Sequence, residues 1–79
     1  MTNMTELQRD IFDSAFTGTY KMVSSLLATG TWYPDDVEDE IKNKFRQFEE
    51  CIEKGMIDTA LKFMGTNRGL RKALTDYRK

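Results

Sequence analysis

Hydrophobic residues recur every three or four positions along most of the chain, which is the spacing of one face of an α-helix. The first such stretch follows the segment TELQ, in which Thr5 has the N-cap position and Gln8 completes a capping box. Gly30 lies just beyond the last apolar residue of this stretch, where glycine commonly ends a helix. The pattern therefore predicts a first helix over residues 5–28.

The apolar positions of this first helix fall on two neighbouring ridges. Together the ridges span roughly 220° of the circumference, whereas an ordinary surface helix has an apolar stripe of ~100°. The first ridge contains Leu7, Ile11, Ala15, Met22 and Leu26, and the second contains Phe12, Phe16, Tyr20, Val23 and Leu27. A helix that is apolar over so wide an arc needs cover on two sides.

A proline and a run of acidic residues mark the start of a second helix. Pro34 suits the first helical turn, and the negative charges that follow it complement the helix dipole. Gly55 is the natural end. We predict a second helix over residues 34–54 with a narrow apolar face. The apolar positions on that face are Val37, Ile41, Phe45, Phe48, Cys51 and Ile52.

The segment GTNRG at residues 65–69 interrupts the helical pattern near the C-terminus. Gly65 is predicted to end a short third helix, and Gly69 to lie on the polar side of a short last helix. A continuous helix across Gly55 is the alternative for the second and third helices.

No segment alternates between apolar and polar residues with the period of a β-strand. The chain therefore predicts one all-α domain over residues 1–79. We expect a small helical bundle of two long antiparallel helices, closed by one or two short C-terminal helices. Residues 1–4 precede the first cap and are expected to be disordered.

The residue types present argue against catalysis. The chain has no histidine and a single cysteine, Cys51. This excludes Ser-His-Asp and Cys-His catalytic sets and removes the commonest ligand for zinc, copper and iron. We expect no enzymatic activity, no cofactor and no metal. The single cysteine and the lack of a signal segment or a long apolar run favour a cytoplasmic protein without a membrane role.

Charge is distributed unevenly along the chain. Residues 1–60 contain six Lys/Arg and twelve Asp/Glu, a net −6, whereas residues 61–79 contain six Lys/Arg and one Asp, a net +5. A basic helical face of this kind can bind nucleic acid, a nucleotide or an acidic protein, or can be a solvated helix end. The residues of this candidate anion-binding face are Arg68, Arg71, Lys72, Arg78 and Lys79.

The preferred interpretation is a small non-catalytic accessory or regulatory protein that binds a partner protein. Chains of this size that lack a catalytic or metal-binding motif are typical of such factors, including inhibitors and modulators from bacteria and their phages. The predicted partner-binding residues are Phe12, Phe16, Tyr20, Trp32, Tyr33, Asp35, Asp36 and Asp39. Nucleic-acid or nucleotide binding by the basic face is the alternative. A second copy that covers the second ridge would give a homodimer, whereas cover by the short helices would give a monomer.

Overall fold

The structure, a computed structural model, describes residues 5–79. This part of the chain forms three α-helices, α1 (Glu6–Ala28), α2 (Pro34–Glu53) and α3 (Ile57–Arg78). No strand occurs in it, which confirms the prediction of an all-α protein. The disorder predicted for residues 1–4 concerns a segment outside the described residues. None of the three helices is long and apolar enough to cross a membrane.

The capping box of α1 and the proline at the start of α2 are those that the sequence predicts. The backbone N–H of Gln8 donates to the Thr5 hydroxyl at 3.1 Å, and the Thr5 N–H donates back to the Gln8 side-chain oxygen at 3.1 Å. At the start of α2, Pro34 occupies the first turn, and the Tyr33 N–H donates to the Asp36 carboxylate at 2.8 Å. These three hydrogen bonds satisfy backbone donors that have no partner within the helix.

Two glycines end α1 and α2. Gly30 and Gly55 have φ of +75° and +73°, a left-handed conformation that favours glycine. Each lies in a Schellman turn, in which the backbone N–H of the following residue, Thr31 or Met56, donates back to the last helical turn at 2.9 or 2.8 Å. The turn at Gly55 separates α2 from α3, so the alternative of one continuous helix there is wrong.

The C-terminal third of the chain differs from the prediction. A single helix of 22 residues, α3, replaces the one or two short helices expected. Gly65 does not end a helix, and Gly69 does not lie on a polar side, because both are buried within α3. The chain runs through the segment GTNRG without a turn.

Close contact with α1 explains these two glycines. A Cβ atom on Gly69 would lie 2.7 Å from the carbonyl oxygen of Phe16 and 3.0 Å from the amide nitrogen of Tyr20. A Cβ atom on Gly65 would overlap the carbonyl oxygen of Phe12. Residues 65, 69 and 73 (Gly, Gly and Ala) follow one another at four-residue intervals, which puts them on one face of α3. At the two glycines the helix backbones pass at a distance that any side chain would prevent.

Helix α3 is the central element of the fold. It packs against both α1 and α2, which contact each other much less. Tyr20 and Asp76 pair near the end of α1, and Gln8 and Asp58 pair near its start, so α1 and α3 run parallel. Arg78 pairs with Glu38 while Phe63 lies under Lys44, so α2 and α3 run antiparallel. The buried core lies where α1 ends and α2 begins. It contains Val23, Leu27, Val37, Leu70, Ala73 and Leu74, with Tyr20, Trp32 and Ile41 packed against it.

Both ridges of α1 are covered in part, since Ile11, Ala15 and Leu26 of the first ridge are half-buried. Phe12 and Phe16 of the second ridge are half-buried, and Val23 is buried in the core. Leu7 and Met22 of the first ridge remain exposed.

Candidate functional site

A groove between α2 and α3 presents apolar side chains to solvent. We call this groove the α2–α3 groove; its apolar section has a volume of about 310 Å³. The Phe45 side chain is 49% exposed and Met64 is 40% exposed, and the Phe45 and Phe48 rings are stacked with centroids 6.2 Å apart. The section is lined by Phe45, Phe48, Phe63, Met64, Asn67, Arg68 and Arg71.

Packing within the fold accounts for the exposure of this section. The small-residue face of α3 is directed at α1, and the only fully or nearly buried side chains of α2 are Val37 and Cys51. Full burial of a phenylalanine side chain stabilises a protein by roughly 1.5–3 kcal/mol, so the half-exposed Phe45 forgoes about half of that stabilisation. Helix α3 therefore covers only part of the width of the apolar stripe of α2.

A basic section continues the groove toward the C-terminus of α3. It has a volume of about 710 Å³, and Arg71 lines both sections, so the two adjoin. Arg78 donates to Glu38 at 2.8 Å across this section. The section is lined by Glu38, Ile41, Lys42, Arg71, Leu74, Thr75, Arg78 and Lys79.

The charge of the groove differs from that of the whole chain. Its two sections contain five cationic side chains and one carboxylate, a net +4, while the chain as a whole has a net charge of −1. Within residues 5–79, Lys42, Arg68, Arg71 and Lys79 form no ion pair. The groove therefore favours an anionic group at its basic section.

The structure brings together four of the five residues predicted to bind an anion. Arg68, Arg71, Arg78 and Lys79 line the α2–α3 groove. Lys72 lies instead on the side that faces α1, with its ammonium nitrogen 5.2 Å from the centre of the Tyr20 ring and 3.5 Å from the Asp76 carboxylate.

The residues predicted to bind a partner protein are divided between two places. Phe12, Phe16 and Tyr20 pack toward α3, and Trp32 packs against the core. The others lie at the start of α2, where Tyr33 is 67% exposed. There, Asp36 caps the helix, and Asp35 and Asp39 are also exposed.

Tyr20 and Asp76 form a strong hydrogen bond between α1 and α3. The phenol donates to the carboxylate at 2.5 Å. This bond raises the pKa of Tyr20, with a further increase from burial. It also lowers the pKa of Asp76, which the charge of Lys72 lowers further. Both groups are therefore held in the protonation states that keep the bond formed.

We expect the Tyr20→Phe variant to be less stable at neutral pH, with a difference from wild type that disappears at both pH extremes. The lowered pKa of Asp76 stabilises the fold above about pH 4, and this contribution is lost as the pH falls through the folded-state value. The raised pKa of Tyr20 stabilises the fold below about pH 10, and this contribution is lost as the pH rises through the folded-state value. Urea unfolding from acidic to alkaline pH measures the difference.

Tyr77→Phe is the matched control, because Tyr77 is exposed on the same helix as Asp76. A stability difference for Tyr20→Phe that stays constant across the pH range would contradict the coupling between Tyr20 and Asp76.

Sequence reasoning did not assign Lys42, Phe45, Phe48 or Met64 to a binding site. The spacing of the two phenylalanines places them on the core-facing stripe of α2, and only the depth of their burial distinguishes them from core residues. The side-chain oxygen of Asn67, in the apolar section, is buried without a hydrogen-bond partner among the described residues. A buried polar atom without a partner costs roughly 1–3 kcal/mol.

The described residues offer no group of three or more histidine, cysteine, aspartate or glutamate side chains that could hold a metal ion. Cys51 is buried with a free thiol. Comparison of the chain with protein-family models, with curated proteins and with solved structures gave no match.

Proposed function

We propose that this protein is a small non-catalytic accessory or regulatory protein that acts by binding a partner protein through the α2–α3 groove. The observation that carries the proposal is the exposure of Phe45 and Met64 beside Arg68 and Arg71. Protein interfaces are enriched in aromatic residues, methionine and arginine, and these residue types supply much of the binding energy.

The groove has the form in which a helix or a short segment of a partner is bound. Apolar side chains of α2 and α3 line a channel between two helices, and charged side chains line its continuation. Helix-in-groove recognition uses this combination, with apolar anchors in the channel and polar contacts at the rim. Leu7 and Met22 are also exposed, but they line neither section of the α2–α3 groove.

We expect the Phe45→Glu variant to keep the fold but to bind the partner protein much more weakly. Phe45 is half-exposed, so the change should lower the free energy of unfolding by about 0.7–1.5 kcal/mol, which is small beside the total stability of a domain. The change removes an apolar anchor and places a carboxylate beside Arg68 and Arg71, where it would compete with an acidic partner for their charge. Affinity capture from the cells that make the protein, followed by quantification of the retained proteins, measures the loss. We expect it to be at least about tenfold.

Leu7→Glu is the matched control, because it places the same charge on an exposed apolar position of α1. We expect it to retain the partner at the wild-type level. Equal retention by wild type and Phe45→Glu would rule out the groove as the binding surface.

A second candidate function is nucleic-acid or nucleotide binding by the basic section. The observation that favours it is the set of Lys42, Arg71 and Lys79 around one open groove of about 710 Å³. Absorbance at 260 nm of the captured material separates the two candidates, since retained nucleic acid absorbs there and protein absorbs weakly. Capture of nucleic acid that falls steeply with added salt supports this second function.

A further inference from the structure

We propose that the α2–α3 groove binds an amphipathic helical segment of a partner protein whose acidic residues cluster toward one end. This inference rests on the proposed function and adds the chemistry of the bound segment. Apolar residues of the segment would contact Phe45, Phe48 and Met64. Its acidic end would lie beside Lys42 and Arg71.

The dimensions of the groove suit such a segment. Along the helical part of α3 the groove runs from Phe63 to Arg78. At 1.5 Å per residue this is a length of roughly 22 Å, which a helix of about four turns would fill. A helix presents apolar residues at three- and four-residue intervals on one side, so it can contact the apolar section over two turns and the basic section over the next two.

Charge complementarity predicts that the bound segment is negatively charged at the end that lies in the basic section. Arg78 is paired with Glu38, while Lys42, Arg71 and Lys79 have no ion pair within the described residues. A partner that carries carboxylates at this end of the groove would supply the counter-ions. Complementary charges across an interface speed association and fix the register of the bound segment.

Acidic residues near the apolar section argue against a nucleic-acid strand along the whole groove. Glu49 and Glu53 follow Phe45 at four-residue intervals, so they lie on the same side of α2, one and two turns beyond it. A phosphate backbone that ran through the apolar section and past its end would approach these carboxylates. A protein segment that is acidic only at the basic section avoids this repulsion.

A second copy of the chain is a poorer occupant, because it would bring no counter-ion to the basic section. In a two-fold dimer the same surface of each copy meets its counterpart. An axis at Arg71, which both sections share, would place each basic section against the apolar section of the other copy. The unpaired cations would then gain no counter-ion.

Two designed peptides test the inference. Both are fluorescein-labelled 14-residue amphipathic helices, with leucine on one side and three acidic or three basic residues at one end. The acidic probe carries glutamate and its twin carries lysine at the same positions. Fluorescence anisotropy measures their affinities, and we expect the acidic probe to bind at least about tenfold more tightly.

Charge reversal at Arg71 provides the matched variant. We expect Arg71→Glu to weaken binding of the acidic probe by at least about tenfold and to strengthen binding of the basic twin. Lys21→Glu makes the same change in net charge at an exposed position of α1. We expect it to leave both affinities within about twofold, because Lys21 does not line the groove and exposed charges interact weakly through water.

The inference is overturned if the acidic probe does not bind at millimolar concentration, or if both probes bind with equal affinity. It is also overturned if Lys21→Glu and Arg71→Glu have equal effects. Displacement of the probe by a single-stranded oligonucleotide, or by self-association of the chain, would overturn it as well. If Phe45→Glu abolishes binding of both probes while Arg71→Glu changes neither, the acidic character of the segment is wrong and the proposed function stands. If neither variant alters binding and Phe45→Glu also retains the cellular partner, both are wrong.

Discussion

Replacing Gly69 with alanine is expected to destabilise the protein by about 1–3 kcal/mol, even though alanine is the better helix former. Alanine in a helix interior gains roughly 1 kcal/mol over glycine. The added Cβ atom, however, would lie 2.7 Å from the Phe16 carbonyl oxygen and 3.0 Å from the Tyr20 amide nitrogen. Both are backbone atoms, so α1 and α3 must move apart to admit the methyl group. We expect Gly65→Ala to behave in the same way against Phe12.

Gly18→Ala is the control for this prediction. Gly18 lies inside α1, is exposed, and has no atom within 4 Å of where its Cβ would be. We therefore expect this variant to be more stable than wild type by about 0.5–1 kcal/mol. Urea unfolding followed by circular dichroism at 222 nm measures all three variants. A stabilising effect of Gly69→Ala would show that α1 and α3 pass at a greater distance than these contacts require.

Leu70→Ala is expected to have the largest effect of these substitutions, a loss of about 2–5 kcal/mol. Leu70 is 2% exposed and belongs to the core that joins all three helices. Domains have total stabilities of about 5–15 kcal/mol, so the variant should be partly unfolded at moderate temperature. Thermal denaturation should show a fall in Tm of several degrees for each kcal/mol lost.

Leu7→Ala makes the same chemical change at a position that is 66% exposed. Its effect on the free energy of unfolding should stay within about 0.5 kcal/mol. Similar losses for Leu70→Ala and Leu7→Ala would mean that the core does not lie where α1 ends and α2 begins.

The sequence predicts the helix ends better than it predicts the helix contacts. Thr5 with Gln8 and the turns at Gly30 and Gly55 are local features, because each depends on residues within one or two turns of the chain. Local preference and the final fold agree at these positions. The all-α class follows from the same local periodicity.

Gly65 and Gly69 show why the contacts between helices could not be predicted in the same way. All four glycines at residues 30, 55, 65 and 69 lower helix propensity, yet two end helices and two lie inside α3. The difference is the backbone of α1, which is distant in sequence. The one available signal is the four-residue spacing of Gly65, Gly69 and Ala73, which is typical of close helix packing.

The candidate site was predictable in part. Helical periodicity groups Arg68, Arg71 and Arg78, and the structure places these residues on one groove. The same periodicity puts Lys72 with them, but its contact with Tyr20 of α1 draws it to the other side of α3. Phe45 was assigned to the core-facing stripe, since spacing gives the direction of a side chain and not how far a neighbouring helix covers it.

The central claim is that the α2–α3 groove is the binding surface of this protein, and a footprint of the acidic probe tests it most directly. Amide ¹H–¹⁵N spectra recorded during titration with the probe report which residues change environment. We predict the largest shifts at Phe45, Met64 and Arg71, with little change at Leu7 and Met22. Shifts concentrated around Leu7 and Met22 on α1, with the groove residues unmoved, would contradict the claim.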